Sequence, residues 1–381
     1  MKRIALIKFD DSDNPWMVYK DVGMFLYELA KDYKWDSKYL YFNTIYNNTE
    51  WNCMFAQYVK PICLGNAVAY KEQIKLAKTY LKKYAMDIDV LMLFNYGSTV
   101  WKIARLAKKV NPKIVVYSKL DMGHGGYKHF VNQRFANSVK IWFEKIKSKY
   151  VDFFSVETKL YFESLKKLPI FKNRIIYLPN GVSLLDVDIN TVEKNYKENI
   201  VITLGRLGDY AKHNELLLDA ISLLPDTIIN TWKFYFVGPS TKEFELYLKD
   251  FINNNPKLKN SIVLTGKITD RTELYTLCKR SKIVCMTSRT ESVCIAVLEA
   301  MYFGAYPVLT DYSAFVLDAT NQKRLGCVTE QNKTSVSKSL MNIMQNPHLE
   351  ELNLACQKYA RKHFDYKYLA GVLDGIIKKY T

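Results

Sequence analysis

The chain has 381 residues, 49% of them hydrophobic, with 55 Lys and Arg against 38 Asp and Glu, a formal net charge of +17. That length exceeds one ordinary core and predicts two domains of about 190 residues each. No apolar run of about 18 residues occurs, which argues against a membrane-spanning helix. Seven cysteines form no Cys-x-x-Cys pair and five histidines show no ligand spacing, so neither a disulfide framework nor a zinc site is expected.

In chain order, Ile4–Phe9 reads as a strand that begins almost at once, without the apolar length of a signal peptide. A polar loop, 10–15, leads to a helix over Asp21–Tyr33. Gly23 in it serves either close approach to a phosphate or helix packing. Lys71, Lys75, Lys78 and Lys82 repeat at helical spacing opposite Ile74, Ala77, Leu81 and Tyr84. This stripe is either a solvated helix face or a contact for anionic lipid headgroups. Next come a strand over Asp89–Phe94, a helix over Thr99–Val110 and a strand over Lys113–Tyr117. Lys119–Tyr127 follows, carrying Asp121 and His124 just past a strand end. Lys140–Tyr150 is again basic and aromatic. Residues 51–150 hold 18 Lys/Arg against 5 Asp/Glu, while 201–381 hold 23 against 18, so the positive field lies mainly in the first half. Nucleic acid could use such charge, but no helix-turn-helix, zinc-finger or RNP-like pattern accompanies it.

Ile175–Val182 reads as a strand and turn, and the polar stretch 183–199 as a linker. Val201–Leu204 is an apolar strand followed directly by Gly205-Arg206, with Lys212 opening a helix soon after. Phe234–Gly238 and Ile262–Lys267 are further strands ending in Gly238, Gly266 and Lys267. Ile283–Met286 is a buried strand. After it, Glu291-Ser292-Val293-Cys294-Ile295-Ala296-Val297-Leu298-Glu299 leads through Phe303 to Gly304, and then to a strand over Tyr306–Thr310. If Glu291 stands at a helix entrance, Glu299 lies about two turns inside, roughly 12 Å along the axis. That exceeds the roughly 5–9.5 Å of a hydrolytic carboxylate pair. It suits two carboxylates holding hydroxyls at opposite ends of a long ligand. Amides of Ser292, Val293, Cys294 and Ile295 would face a diphosphate between them. Strands alternating with helices predict an α/β chain of doubly wound parallel sheets.

Glu-x7-Glu in this setting, with Gly205-Arg206, Lys212 and the strand ends at Gly238 and Gly266 in the same order, resembles the retaining GT-B glycosyltransferases of family 4. The resemblance covers 150–380 well and the first 150 residues loosely. It implies two Rossmann-like domains facing across a cleft, spanning 1–190 (acceptor-binding) and 191–365 (nucleotide-sugar-binding), with a C-terminal helix over 366–381 crossing back to the first. It further implies that Arg206 and Lys212 bind the phosphates, Glu299 the ribose and Glu291 the donor sugar. Either Asp121 or His124 stands beside that sugar. The family commonly has Gly where this chain has Cys294, which narrows the approach to sugar or phosphate. With Arg206, Lys212 and a helix N-terminus to neutralise the diphosphate, the resemblance implies neither metal nor other cofactor. The implied donor is a nucleoside-diphosphate sugar, the acceptor lipid-linked or a surface glycan, and the place cytoplasmic, peripheral on an anionic membrane. The alternatives weighed are a sugar-nucleotide epimerase and a non-catalytic partner subunit of another glycosyltransferase. An epimerase needs a cluster of acid/base residues around the sugar, which the Glu-x7-Glu arrangement fits less well than transfer. A non-catalytic subunit has no physical need for Arg206, Lys212, Glu291 and Glu299.

Overall fold

The computed structural model describes residues 1–10, 12–44, 51–132 and 138–380, and the side chains at 124, 132, 138–141 and 143 lie outside that description. The chain divides into two compact units, Met1–Leu185 with Asp365–Thr381, and Asp186–Phe364.

In the first unit seven strands form one sheet: β1 (Arg3–Ile7), β2 (Asp36–Asn43), β3 (Val59–Asn66), β4 (Val90–Phe94), β5 (Val115–Lys119), β6 (Phe153–Val156) and β7 (Ile175–Tyr177). Their order is β3-β2-β1-β4-β5-β6-β7 and every pairing is parallel. All five side chains of β4 are buried, as expected for a central parallel strand covered by helices on both faces. β5 lies two residues later than the sequence pattern suggests. Lys113 and Ile114 are spent in the turn, and the ladder to β4 starts at Val90 and Val115. Lys119 is therefore the last residue of a buried strand, not the first of a loop.

The segment Tyr366–Ile377 is a helix of this same unit. Asp365 caps it by accepting from the Tyr368 amide. Tyr366, Leu369, Ala370, Leu373 and Ile377 enter the core beside Phe25 of the helix Asp21–Tyr33. Burying each of the larger ones stabilises by about 1.5–3 kcal/mol. The Trp35 indole N–H donates to Asp374 Oδ1 at 3.0 Å, satisfying a polar pair inside this contact.

The second unit repeats the plan with β8 (Glu198–Leu204), β9 (Lys233–Val237), β10 (Ile262–Gly266), β11 (Ser281–Met286), β12 (Tyr306–Thr310) and β13 (Cys327–Thr329). The order is β10-β9-β8-β11-β12-β13, again all parallel. In both sheets the chain starts centrally, winds outward to one side, then crosses to the other. Ligands of such sheets bind beyond the carboxyl ends at the point of reversal, which here lies between β8 and β11.

Candidate functional site

The site begins where β8 and its neighbours end. Gly205, Gly238 and Gly266 close β8, β9 and β10, all with positive φ. The Gly205 amide donates to Val237 O at 2.9 Å and the Gly238 amide to Gly266 O at 3.0 Å. A Cβ on Gly238 would stand 1.8 Å from Gly205 O, so backbone occupies the place a side chain would need. This row lets the loop 205–213 turn back over the sheet.

That loop is stitched to the loop after β11. The Arg289 amide donates to Ala211 O at 2.8 Å, Thr287 Oγ1 to His213 O at 2.8 Å, and the Arg289 guanidinium to Tyr210 O at 2.7 Å. The stitching brings Lys212 onto Glu291. Their side chains form an ion pair and keep only 15% and 17% exposure. Burial alone would lower the Lys212 ammonium, but the attraction and hydrogen bond of the paired Glu291 carboxylate oppose it, and the ammonium is held above an ordinary lysine. Cys294 is buried behind this pair. Burial pushes its thiol up to about 11 despite Lys212, so it is a neutral packing group. Tyr312 lies in the same pocket of side chains, where burial, then Cys294 and Glu291, push its hydroxyl well above the usual phenol range.

The two glutamates are not where a continuous helix would put them. The helix runs Ile295–Tyr302, and Cys294 caps it in extended conformation with no side-chain bond. Glu291 therefore lies four residues ahead, in the loop, and Glu299 little more than one turn inside. The expected 12 Å axial rise does not apply. Val293 and the small Ser292 supply no capping box that would start the helix earlier. The gain is a cluster of amides at Val293, Cys294 and Ile295 that donate to no group among the described residues. They sit at a helix N-terminus, beside Lys212, where an anion is favoured.

Glu299 faces a different set of partners. Its Oε1 accepts from Tyr275 Oη at 2.8 Å and from Arg271 at 3.2 Å. Neither residue was legible as functional, since both stand on the helix Arg271–Arg280 and meet Glu299 only through packing of that helix on Ile295–Tyr302. Arg206 pairs with Asp209 at 2.7 Å and keeps 73% of its side chain exposed, so the structure does not bring it to Lys212's partner. Lys267, after β10, is exposed.

In the first unit, Asp121 follows β5 with φ 42°, a left-handed conformation that Asp tolerates better than most residues. Its amide and that of Met122 donate to the two carboxylate oxygens of Glu157 at 3.0 and 3.1 Å. Glu157 in turn pairs with Lys119 at 2.5 Å, and Lys119 with Asp21 at 3.4 Å. Burial by neighbouring groups, then repulsion from Asp21 and Glu157, push the Asp121 carboxyl up to about 6. The residue is exposed on this unit, so solvent tempers the first cause and the like charges are the firmer one. Asp121 lines a concavity of ≈ 480 Å³ with Asn95, Tyr96, Trp101, His129 and Glu144. His124 opens the helix His124–Asn132, and its side chain lies outside the described residues. Gly23 packs inside the core, where a Cβ would meet Val18 Cα at 2.4 Å. That close contact is a packing reason for glycine.

Residues 186–363 match the family described as glycosyl transferases group 1, a match that falls within the second unit. A curated relative, the alpha-1,4-N-acetyl-D-galactosaminyltransferase of Campylobacter jejuni named for a saccharide on PP-undecaprenol, is 26% identical over 178 residues. That match spans 45% of this chain and 45% of the relative, so the chain matches less than half of the relative's length. Among solved structures, sucrose-phosphate synthase from Thermosynechococcus elongatus superposes with a TM-score of 0.69 at 14% identity, over 100% of this chain and 99% of that one. HepE of Anabaena in complex with UDP gives 0.69 at 13%, over 100% of both chains. At such identity the likeness establishes the fold, the GT-B fold of two Rossmann-like units.

Proposed function

We propose that the chain is a retaining, metal-independent glycosyltransferase of polysaccharide or glycolipid biosynthesis. It would move a hexosyl group from a nucleoside-diphosphate sugar to a lipid-linked or surface-glycan acceptor. The observation that carries this is the Lys212–Glu291 pair stitched onto a helix N-terminus within the segment that matches glycosyl transferases group 1. When the donor's anomeric C–O bond breaks, its electron pair passes to the diphosphate. An ammonium has three donors, so Lys212 can keep Glu291 and still take a phosphate oxygen. The amides of Val293, Cys294 and Ile295, with Arg206 released from Asp209, complete the stabilisation of that charge. Glu291 is then placed to accept from a sugar hydroxyl. No enzymic nucleophile is required: the departing phosphate oxygen takes the acceptor hydroxyl's proton while the new C–O bond forms on the same face.

The C. jejuni relative's name specifies a saccharide on PP-undecaprenol, which favours a lipid-linked acceptor and a place at the cytoplasmic face of a membrane. No helix among the described residues is long and apolar enough to cross one. The first unit offers a surface for peripheral contact. Trp142 and Ile146 are exposed on the helix Ser138–Ser148, and Lys145, Lys149, Lys167 and Lys172 line an adjoining concavity of ≈ 590 Å³. The Lys71, Lys75 and Lys82 side of helix Tyr70–Tyr84 is exposed as well.

The test is a panel of sugar nucleotides with chelator present, reading thermal protection, donor hydrolysis and product by NMR. An α-linked product from an α-linked donor is expected. Inversion, a covalent adduct or abolition by chelator would overturn the mechanism, and protection by no sugar nucleotide would overturn the activity. Replacing Lys145, Lys149, Lys167 and Lys172 with Gln should reduce co-sedimentation with anionic vesicles and spare donor hydrolysis. Undiminished sedimentation removes this surface from membrane contact.

A further inference from the structure

Glu299 is held on one side only. Tyr275 is fully buried, its ring packs on Phe303 at 4.8 Å, and its hydroxyl donates to Glu299 Oε1 at 2.8 Å. Arg271 stands one helical turn earlier, its guanidinium 4.9 Å from the Tyr275 ring centre. It donates both to the Tyr275 oxygen and to the same Oε1. The i,i+4 spacing places both donors on one face of the helix Arg271–Arg280. Burial, then the Glu299 carboxylate, push the Tyr275 hydroxyl well above the phenol range, so it stays a donor at working pH. Glu299 Oε2 makes no hydrogen bond among the described residues, and the side chain keeps 15% exposure. Two donors on one oxygen fix the plane of a carboxylate and leave the other oxygen directed outward.

We infer that Arg271 and Tyr275 are positioning residues for nucleotide recognition: they lock Glu299 Oε1 so that Oε2 receives a ribose hydroxyl of the bound nucleoside diphosphate. This rests on the nucleotide-sugar reading of the second unit given above. Neither residue touches the reacting atoms, so their loss acts on binding and not on the bond-breaking step. Without the clamp, Glu299 samples several rotamers and the ribose contact weakens by about three- to tenfold, the range of one hydrogen bond's net worth.

The experiment measures Kd by calorimetry for UDP, GDP and ADP and for their 2′-deoxy counterparts. Wild type is compared with Glu299→Gln, Tyr275→Phe, Arg271→Gln and Arg271→Lys. Tyr275→Phe keeps the buried ring, which guards against simple unfolding, and Arg271→Lys tests rescue by charge. Glu299→Gln should weaken the best ribonucleotide and erase its advantage over the deoxy form. Tyr275→Phe and Arg271→Gln should do the same to a lesser degree, with kcat kept, and should add nothing in the Glu299→Gln background. If Glu299→Gln acts as expected but Tyr275→Phe and Arg271→Gln leave ribose preference unchanged, or weaken both sugars alike, the clamp is refuted and the role of Glu299 survives. If Glu299→Gln binds like wild type, or no nucleoside diphosphate binds, the ribose role itself falls and the clamp with it.

Discussion

Each unit carries a lysine–carboxylate pair at the carboxyl edge of its sheet, and the two pairs are built to different ends. In the first, Lys119 has no exposed surface, Glu157 has 2%, and both Glu157 oxygens are already filled by Lys119 and the amides of Asp121 and Met122. In the second, Lys212 and Glu291 keep 15% and 17% exposure beside amides that donate to nothing among the described residues. The buried pair, with both carboxylate oxygens filled, shapes the Asp121 loop and has no surface to offer a ligand. The half-open pair is less anchored and can share its donors. The same two residue types therefore serve architecture in one sheet and chemistry in the other, and burial decides which.

The largest expected effect comes from breaking the buried pair. Lys119→Met strands Glu157 and Asp21 without their cation and should destabilise the protein by about 3–5 kcal/mol in urea unfolding. Lys212→Met should cost about 1 kcal/mol, as for partly exposed ion pairs. Equal losses would erase the distinction between the two regions. Activity should order them oppositely. Lys212→Met and Arg206→Ala should each reduce transfer by about 10²–10³, the usual consequence of losing a charge-stabilising donor, and lose thermal protection by nucleoside diphosphate. Full protection of the double variant would remove both residues from the site.

The alternation of strands and helices, the C-terminal helix and the strand-end glycines were legible because they follow from local pattern and turn chemistry. β2 and β3 were not, since Asp36–Asn43 is half polar and β3 is a half-exposed edge strand containing Pro61. The helix start at Ile295 escaped because Cys294 caps it with backbone conformation alone. Lys119 with Glu157, and Tyr275 with Glu299, lie 38 and 24 residues apart. Such partners meet only when neighbouring strands or helices pack, and no periodicity in one segment can announce them.

A third carboxylate shows what happens where the described residues place no paired cation in hydrogen-bonding reach. Glu28 is buried in the helix Asp21–Tyr33, and burial, opposed by Lys31 and reinforced by Asp32, pushes its carboxyl up to about 7. The folded state then binds a proton more tightly than the unfolded chain. Its contribution to stability is full below the ordinary glutamate range near pH 4.5 and is lost as pH rises through about 7. The loss is at most about 3 kcal/mol. Glu28→Gln should flatten this decline between pH 4.5 and 7 in urea midpoints. An unchanged slope would mean that Glu28 keeps a counter-charge in solution and belongs with Glu157.

The smallest effect discriminates most finely. If Glu291 partly neutralises Lys212 in the resting site, Glu291→Gln should strengthen free nucleoside diphosphate binding, because the ammonium is no longer shared with a carboxylate. A partly exposed pair is worth about 1 kcal/mol or less, so a gain of about two- to fivefold in Kd is expected. Transfer should nevertheless fall, since Glu291 is the group proposed to hold the donor sugar. Glu157→Gln in the first unit should leave nucleotide affinity unchanged while lowering stability, because among the described residues its oxygens serve only Lys119 and two backbone amides. The contrast is sharp in sign. A tenfold weaker nucleotide complex in Glu291→Gln would mean that Glu291 itself grips the nucleotide, and the two ends of the site would have to be reassigned.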